Sequence, residues 1–519
     1  TPYGIRDEGK LRLLAGALGL NASEPVNKLA VDVGREILAE INSSPRQGLK
    51  IIPKFATQGR VNLWKKLGIY PGGPANEQID AISHCLTNVD GDYVSLAKTA
   101  LRLSISCIYG SLIPLEYGQD ILFGTPRPHP MNFDLALLDP TYVNIVVNGH
   151  EPFVGLALIK HCSDPQVQAE AVKAGAKGIR VIGSIETGQE ILQRVEMSPV
   201  FTGMTGNWLS IEPLIATEAV DLFAMDMNCC PPSLEVYAKK YPTTFVSVSP
   251  LVNIPGVEKH IDYKPEEVSG QAIRLALMAI ENFKTRNGRG IAIPSPIQPA
   301  VVGFSMESIV DALGGGLTPL LGAVKSGKVK GIVALVSCST LGNGPQDVPT
   351  IAITKELIKR DILVLSMGCG NAAVQVGGLC TNEAKVLAGE GLRSICTDLG
   401  MPPVLSFGTC SDTGRVSVLV SAIADALGVD VPDLPIAVTA PQYMEQKATI
   451  DAVFALAFGT FTHVSPTPPL VGGERLMKLL SVDLESITGG KIYLENDMAK
   501  AAEAIEGHIL KKRAALGIG

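Results

Sequence analysis

Six segments that the sequence predicts as β-strands each end on a residue whose side chain can bind a metal. The segments are rich in Val, Ile, Leu and Phe, and stretches with helical periodicity separate them. The six strand-end residues are His150, Glu186, Cys229, Cys338, Cys369 and Cys410. Ligands collect at the carboxyl ends of the strands in an open parallel α/β sheet, so we expect these side chains to meet at one site.

The six residues combine one imidazole, one carboxylate and four thiols. Thiolates favour iron–sulfur clusters or nickel, whereas imidazole and carboxylate suit a harder iron. A single buried cysteine is about as often a structural thiol as a ligand, but four at equivalent strand ends favour metal binding. The pattern therefore predicts one buried metal cluster.

Composition excludes several classes of protein. The chain has 519 residues, a net charge of −7 and ten cysteines. Ten scattered cysteines in so long a chain do not form a secreted disulfide scaffold, which points to the reducing cytoplasm. No basic cluster suggests a nucleic-acid partner. No uninterrupted apolar run reaches the roughly 18–20 residues that span a bilayer.

The pattern of predicted elements changes twice along the chain. Residues 1–125 have helical patterns and form a predicted helical domain, while residues 126–288 and 289–519 alternate strands with helices. This alternation predicts two Rossmann-like α/β domains with parallel sheets. Each of these domains supplies three of the six ligands, so we expect two facing sheets with the cluster between them. The chain begins at Thr1, and we expect the helical domain to be truncated there.

Four segments resemble those of a known superfamily. They are NIVVNGHEP, MNCCPPS, SFGTCSDTGR and MEQKA. These resemble the nickel–iron carbon monoxide dehydrogenases and the related hybrid-cluster proteins, which are hydroxylamine reductases. The resemblance is close over residues 126–465 and looser elsewhere.

The resemblance implies a role for each ligand. His150 would bind the unique iron, and Cys410 would take the position that binds nickel. Lys447 matches the lysine that stabilises charge on the bound substrate. Three thiols would hold the remaining iron atoms: Cys229, Cys338 and Cys369.

Glu186 makes this chain a divergent member, because the dehydrogenases have a cysteine there. A carboxylate favours an oxygen-bridged iron over a nickel centre. The hybrid-cluster proteins use one His, two Glu and four Cys, with the second Glu two residues before a lysine, as Glu445 precedes Lys447 here. Two alternatives stay open: Glu186 only hydrogen-bonds the cluster, and Glu445 is a solvated helix residue.

We favour two-electron reduction of a small molecule such as hydroxylamine at an iron–sulfur–oxygen cluster. The predicted catalytic residues are His150, Glu445 and Lys447. The alternative is a nickel-dependent carbon monoxide dehydrogenase, which converts CO and water to CO₂, two electrons and two protons. A non-catalytic electron-transfer or metal-storage protein is a third hypothesis.

The resemblance also implies partners. Proteins of this kind form homodimers, exchange electrons with ferredoxin-like carriers and bind additional 4Fe-4S clusters through a cysteine-rich segment near the N-terminus. Cys85 and Cys107 lack the CxxC spacing of such a segment. We expect either that the additional clusters lie on chain preceding Thr1 or that the protein uses another electron path.

Overall fold

The computed structural model of the protein describes residues 3–286, 289–294 and 296–518. Thr1 lies outside the described residues, and so does residue 288, where one domain boundary is predicted. The division into three domains stays a prediction.

In the described residues, the N-terminal part of the chain is helical, with seven α-helices before the first strand. They are α1 (Glu8–Ala17), α2 (Val26–Ile41), α3 (Ile52–Phe55), α4 (Gln58–Leu67), α5 (Pro74–His84), α6 (Tyr93–Cys107) and α7 (Ile113–Phe123). Trp64 of α4 donates a hydrogen bond of 3.0 Å to the carbonyl of Ala457, and Arg60 pairs with Asp430 at 2.7 Å. The helical part is therefore tied to the C-terminal part of the chain.

Alternating strands and helices follow. The strands of the first α/β part are β1 (His129–Phe133), β2 (Val143–Asn148), β3 (Ile179–Ser184), β4 (Phe201–Met204), β5 (Leu222–Met225) and β6 (Thr244–Ser247). Its helices are α8 (Phe153–Cys162), α9 (Pro165–Lys173), α10 (Ile185–Leu192), α11 (Ile211–Ala216), α12 (Leu234–Lys240) and α13 (Val268–Arg286).

The second α/β part repeats this alternation and ends in a long helix. Its strands are β7 (Gln298–Val302), β8 (Gly331–Ser337), β9 (Ile362–Met367), β10 (Val404–Gly408), β11 (Ile436–Ala440), β12 (Phe461–Val464) and β13 (Lys491–Leu494). Its helices are α14 (Met306–Ala312), α15 (Thr318–Lys325), α16 (Val348–Lys359), α17 (Gly368–Val376), α18 (Glu390–Leu399), α19 (Thr413–Leu427), α20 (Gln446–Phe458), α21 (Glu474–Lys478), α22 (Leu484–Ile487) and α23 (Met498–Ala515).

The predicted α/β class with parallel sheets is confirmed, but the two halves meet differently from our expectation. All the strands form one sheet in the order β13-β12-β11-β8-β9-β10-β7-β1-β4-β3-β2-β5-β6. The pairs are parallel except β1 with β7, which are antiparallel with Met131 opposite Ala300. Two edge strands with unpaired backbone groups have joined, so the halves are continuous rather than separate facing sheets.

The strands that carry the predicted ligands are neighbours within each half. Strands β3, β2 and β5 are adjacent in one half, and β8, β9 and β10 are adjacent in the other. Their residues are buried almost throughout, which is typical of parallel strands covered on both faces.

One helical stretch in the described part of the chain, Tyr93–Phe123, is long and apolar enough to cross a membrane. In its most apolar window, 56% of the residues are buried inside the protein. This burial is typical of a core helix.

Candidate metal centre

All the residues that the sequence predicts for the site line one cavity at the carboxyl ends of the strands. The predicted residues on its wall are His150, Glu186, Cys229, Cys338, Cys369, Cys410, Glu445 and Lys447. The structure thus brings together residues that lie up to 297 positions apart in the chain.

His150 is placed by a turn that only glycine can make. Gly149 follows β2 with φ of 139°, and a Cβ there would come within 1.8 Å of an Asp226 oxygen. Asp226 accepts hydrogen bonds from the backbone N–H groups of His150 and Glu151 and from the hydroxyl of Thr187. The buried carboxylate therefore fixes the backbone that carries the imidazole.

Glu186 lies in the first turn of α10, directly after β3. The preceding Ile185 has φ of 47°, a strained conformation for a β-branched residue that is typical of functional sites. Glu186 Oε2 accepts a hydrogen bond of 2.8 Å from the backbone N–H of Cys410. Ligand atoms of His150, Glu186 and Cys410 lie within 4.8 Å of one another. The carboxylate therefore lies close enough to bind the same metal as His150 and Cys410.

The four thiols lie in surroundings that oppose their ionisation. Burial raises the pKa of Cys229 and of Cys338 to about 12, and it raises the pKa of Cys369 and Cys410 well above the ordinary value. Thiolates bind metals, so a cationic group must offset the cost of forming them here. Four thiols, one imidazole and one carboxylate around one buried cavity fit an iron–sulfur cluster.

Lys447 lies in the first turn of α20, and its side chain reaches the predicted ligands. Its Nζ lies 2.6 Å from His150 Nε2 and 3.4 Å from Cys410 Sγ. Burial and the Lys447 charge hold the pKa of His150 well below its ordinary value, so its imidazole is neutral and has a lone pair for a metal.

Glu445 lies further out than the other acidic candidate. It directly precedes α20, its side chain is 21% exposed, and its carboxylate is 3.8 Å from Lys447 Nζ. It lines the cavity, but it is not in the tight group of His150, Glu186 and Cys410. Its role as a second oxygen ligand stays a prediction.

Trp208 and Asp451 are among the cavity-wall residues that sequence reasoning missed. Trp208 donates a hydrogen bond of 2.6 Å to the carbonyl of Ser339, next to Cys338. No motif marks this tryptophan. Asp451 follows Lys447 by four residues on α20, a helical spacing that is visible in the sequence and places both side chains on one face.

Behind Cys410, a buried charge network connects the helical part to both α/β parts. Arg415 binds Asp120 and Glu116 at 2.7 and 2.9 Å and also pairs with Asp412. Arg194 binds Asp120 at 2.9 Å. These side chains are at most 3% exposed, so the charges are stabilised by one another rather than by water.

We expect Arg415→Met to destabilise the protein by about 3–5 kcal/mol, because it leaves buried carboxylates without their cation. Denaturant unfolding of the anaerobic protein would measure this change. Arg12→Met is the matched control, since Arg12 pairs with Glu8 at the surface. A loss no larger than that of the control would contradict a compensating role for Arg415.

Comparison with known proteins identifies the family. The family model described as Prismane/CO dehydrogenase matches residues 1–499. The chain belongs to this family. The predicted resemblance is confirmed, and membership makes the protein an iron–sulfur oxidoreductase of the carbon monoxide dehydrogenase type.

Family members named carbon monoxide dehydrogenase match over the whole chain. The protein from Archaeoglobus fulgidus is 55% identical over 518 residues, covering 100% of this chain and 82% of the relative. Carbon monoxide dehydrogenase 2 from Methanosarcina mazei is 52% identical over 520 residues, with the same coverage. These names support our alternative prediction, CO oxidation, better than the favoured hydroxylamine reduction.

Solved family structures agree with the fold. The as-isolated, nickel-free carbon monoxide dehydrogenase from Thermococcus sp. AM4 has a TM-score of 0.96 at 36% identity, covering 100% of this chain and 81% of that one. Carbon monoxide dehydrogenase IV from Carboxydothermus hydrogenoformans has a TM-score of 0.95 at 35% identity, covering 99% and 82%.

Proposed function

We propose that the protein oxidises carbon monoxide with water at an iron–sulfur cluster in this cavity. The observation that carries the proposal is the convergence of all six strand-end donors and Lys447 on one buried cavity. The names of the relatives that cover the whole chain support it. A non-catalytic role does not explain why the half-buried Lys447 contacts both His150 and Cys410.

His150, Glu186 and the four thiols would hold the metals. A cluster bound there would offer an open coordination position and accept or supply the two electrons of the reaction. With nickel, Cys410 is the thiol closest to Lys447 and His150 and is our candidate nickel ligand.

Lys447 supplies the positive charge of the site. Burial alone would lower its pKa, but Cys410, Cys229 and the nearby carboxylates raise it above the ordinary value, so the ammonium stays charged. Held 2.6 Å from His150, it can stabilise negative charge that develops on the carboxyl group formed from CO.

A second candidate function is the reduction of hydroxylamine, and the Glu186 carboxylate favours it. A hard oxygen donor among the ligands suits an oxygen-bridged iron better than nickel. In this reaction hydroxylamine takes up two electrons and two protons, its N–O bond breaks, and ammonia and water leave. Lys447 would donate a hydrogen bond to the departing oxygen and stabilise its charge.

Glu186→Cys separates the two candidates. We expect it to raise nickel content and to increase the ratio of CO oxidation to hydroxylamine reduction at least tenfold, about 1.4 kcal/mol in relative barrier, because a thiolate replaces a hard oxygen. Metal analysis and both assays on anaerobic protein measure this change.

Glu186→Gln is the control, because it removes the carboxylate charge without adding a thiolate. It should not gain nickel. If Glu186→Cys leaves both the nickel content and the ratio of activities at wild-type values, Glu186 does not determine the metal.

We further propose that the protein works as a cytoplasmic homodimer and exchanges electrons with a ferredoxin-like carrier. Family resemblance supports these partners. Additional 4Fe-4S clusters would connect the carrier to the cavity. The described residues include those of the cavity. The relative from Archaeoglobus fulgidus is longer than this chain, which covers 82% of it.

A further inference from the structure

Asp451 lies where two cavities meet. It lines the cavity of the predicted ligands, and together with Ala448 it also lines a second cavity between α20 and the sheet. The described wall of the second cavity is otherwise made of apolar residues and a few hydroxyl-bearing ones, so Asp451 is its ionisable group. A carboxyl group at this place adds nothing to apolar packing.

The Asp451 carboxyl group has no hydrogen bond or ion pair within the described ranges of the chain, unlike the other acids of the site. Glu186 accepts the backbone N–H of Cys410, and Glu445 lies 3.8 Å from Lys447 Nζ. A partly buried carboxyl group without a protein donor is costly unless something in the cavity binds it. Its oxygens are available to a molecule inside the cavity.

We propose that Asp451 is a further catalytic residue, whose carboxyl group hydrogen-bonds the O–H group of the reacting molecule and exchanges a proton with it. This inference rests on the proposed function. The O–H group belongs to water in CO oxidation and to hydroxylamine in its reduction. The Asp451 carboxyl group can bind the O–H group in both reactions. Its neighbours on the cavity wall, Val336 and Ala448, have no polar side chains that could do so.

Asp451 accepts a proton from an O–H group in CO oxidation and donates a proton to oxygen in hydroxylamine reduction. In CO oxidation an O–H bond of water breaks, and the Asp451 carboxylate takes the proton while the electrons leave through the cluster. In hydroxylamine reduction the Asp451 carboxylic acid gives its proton to the departing oxygen, and the electron carrier supplies the electrons. In both reactions Asp451 then exchanges its proton with water.

The surroundings of Asp451 suit a group that both gives and takes a proton. Burial raises its pKa to about 8, with Lys447 opposing the rise and the nearby carboxylates adding to it. The titratable groups that face it from its own and neighbouring elements are Lys447, Glu445, Glu186, Cys410 and Cys107. Both protonation states are therefore populated near neutral pH.

Asp451→Asn tests the proposal, because the amide keeps the shape but carries no exchangeable acid proton. We expect the anaerobic variant to keep its iron while kcat falls roughly 10²–10³-fold, as for loss of a positioned acid–base group. The wild-type pH profile should have an ionisation near pH 8 that the variant lacks. Asp451→Glu should recover part of the rate and the ionisation.

Difference infrared spectroscopy tests the carboxyl group independently of turnover. The wild type should show a carboxylic acid band that titrates near pH 8, shifts when hydroxylamine is added, and is absent from Asp451→Asn. If the wild type proves inactive towards CO and hydroxylamine, the proposed function fails, but a shifting band still supports the contact.

Three results would overturn the proposal. The first is Asp451→Asn turning over at the wild-type rate. The second is loss of iron from Asp451→Asn, which would make the residue structural. The third is a carboxylic acid band that hydroxylamine does not move.

Discussion

Replacing Cys369 with serine is expected to abolish the cluster and all turnover. Cys369 lies in the first turn of α17, just after β9. It is 8% exposed and lines the cavity with the other predicted ligands. An alcohol oxygen is a poor substitute for thiolate on iron. Iron and sulfide analysis of the anaerobically purified variant would measure the loss.

Cys396→Ser is the matched control, since Cys396 is also buried but lies in α18, away from the cavity. It should keep the iron content of the wild type. A Cys369→Ser protein that also kept its iron would contradict the ligand set.

Lys447→Ala is expected to keep the cluster and to lower turnover by roughly 10²–10⁴-fold, the range for a positioned proton donor. The ammonium lies 2.6 Å from His150 Nε2 and 3.4 Å from Cys410 Sγ, so its loss removes the only lysine charge on the cavity wall in the described chain. Turnover and iron content of the variant would be measured together.

Gln446→Ala is the control, because Gln446 is the exposed neighbour of Lys447 on the same helix. It should turn over at the wild-type rate. Loss of iron from Lys447→Ala would make the lysine structural, and unchanged turnover would remove it from the mechanism.

The sequence predicted the convergence of the six ligands because two regular features define it. Each ligand follows a run of buried apolar residues, and parallel strands place their carboxyl ends on one edge. Glu186 reaches the cavity for this reason, whereas Lys447 was predicted from the family resemblance. The thiol pKa values depend on burial, which no spacing in the sequence gives.

Other features needed the structure. The joining strands β1 and β7 are short and contain proline, HPMNF and QPAVV, so the sequence gives no reason to pair them. Trp208 begins a short 3₁₀-helix that no motif marks, and its indole N–H donates to the carbonyl of Ser339. Asp451 has a visible helical spacing from Lys447, but the second cavity beside it forms only through packing of α20 on the sheet.

The metal and sulfide content per chain of anaerobically purified protein, with CO oxidation assayed on the same sample, shows whether the cavity holds a cluster. We expect several iron and sulfide atoms per chain, with nickel accompanying CO oxidation. Iron and sulfide without nickel, together with hydroxylamine reduction, would select the second candidate function. A protein that folds and binds no iron would contradict a metal cluster in this cavity.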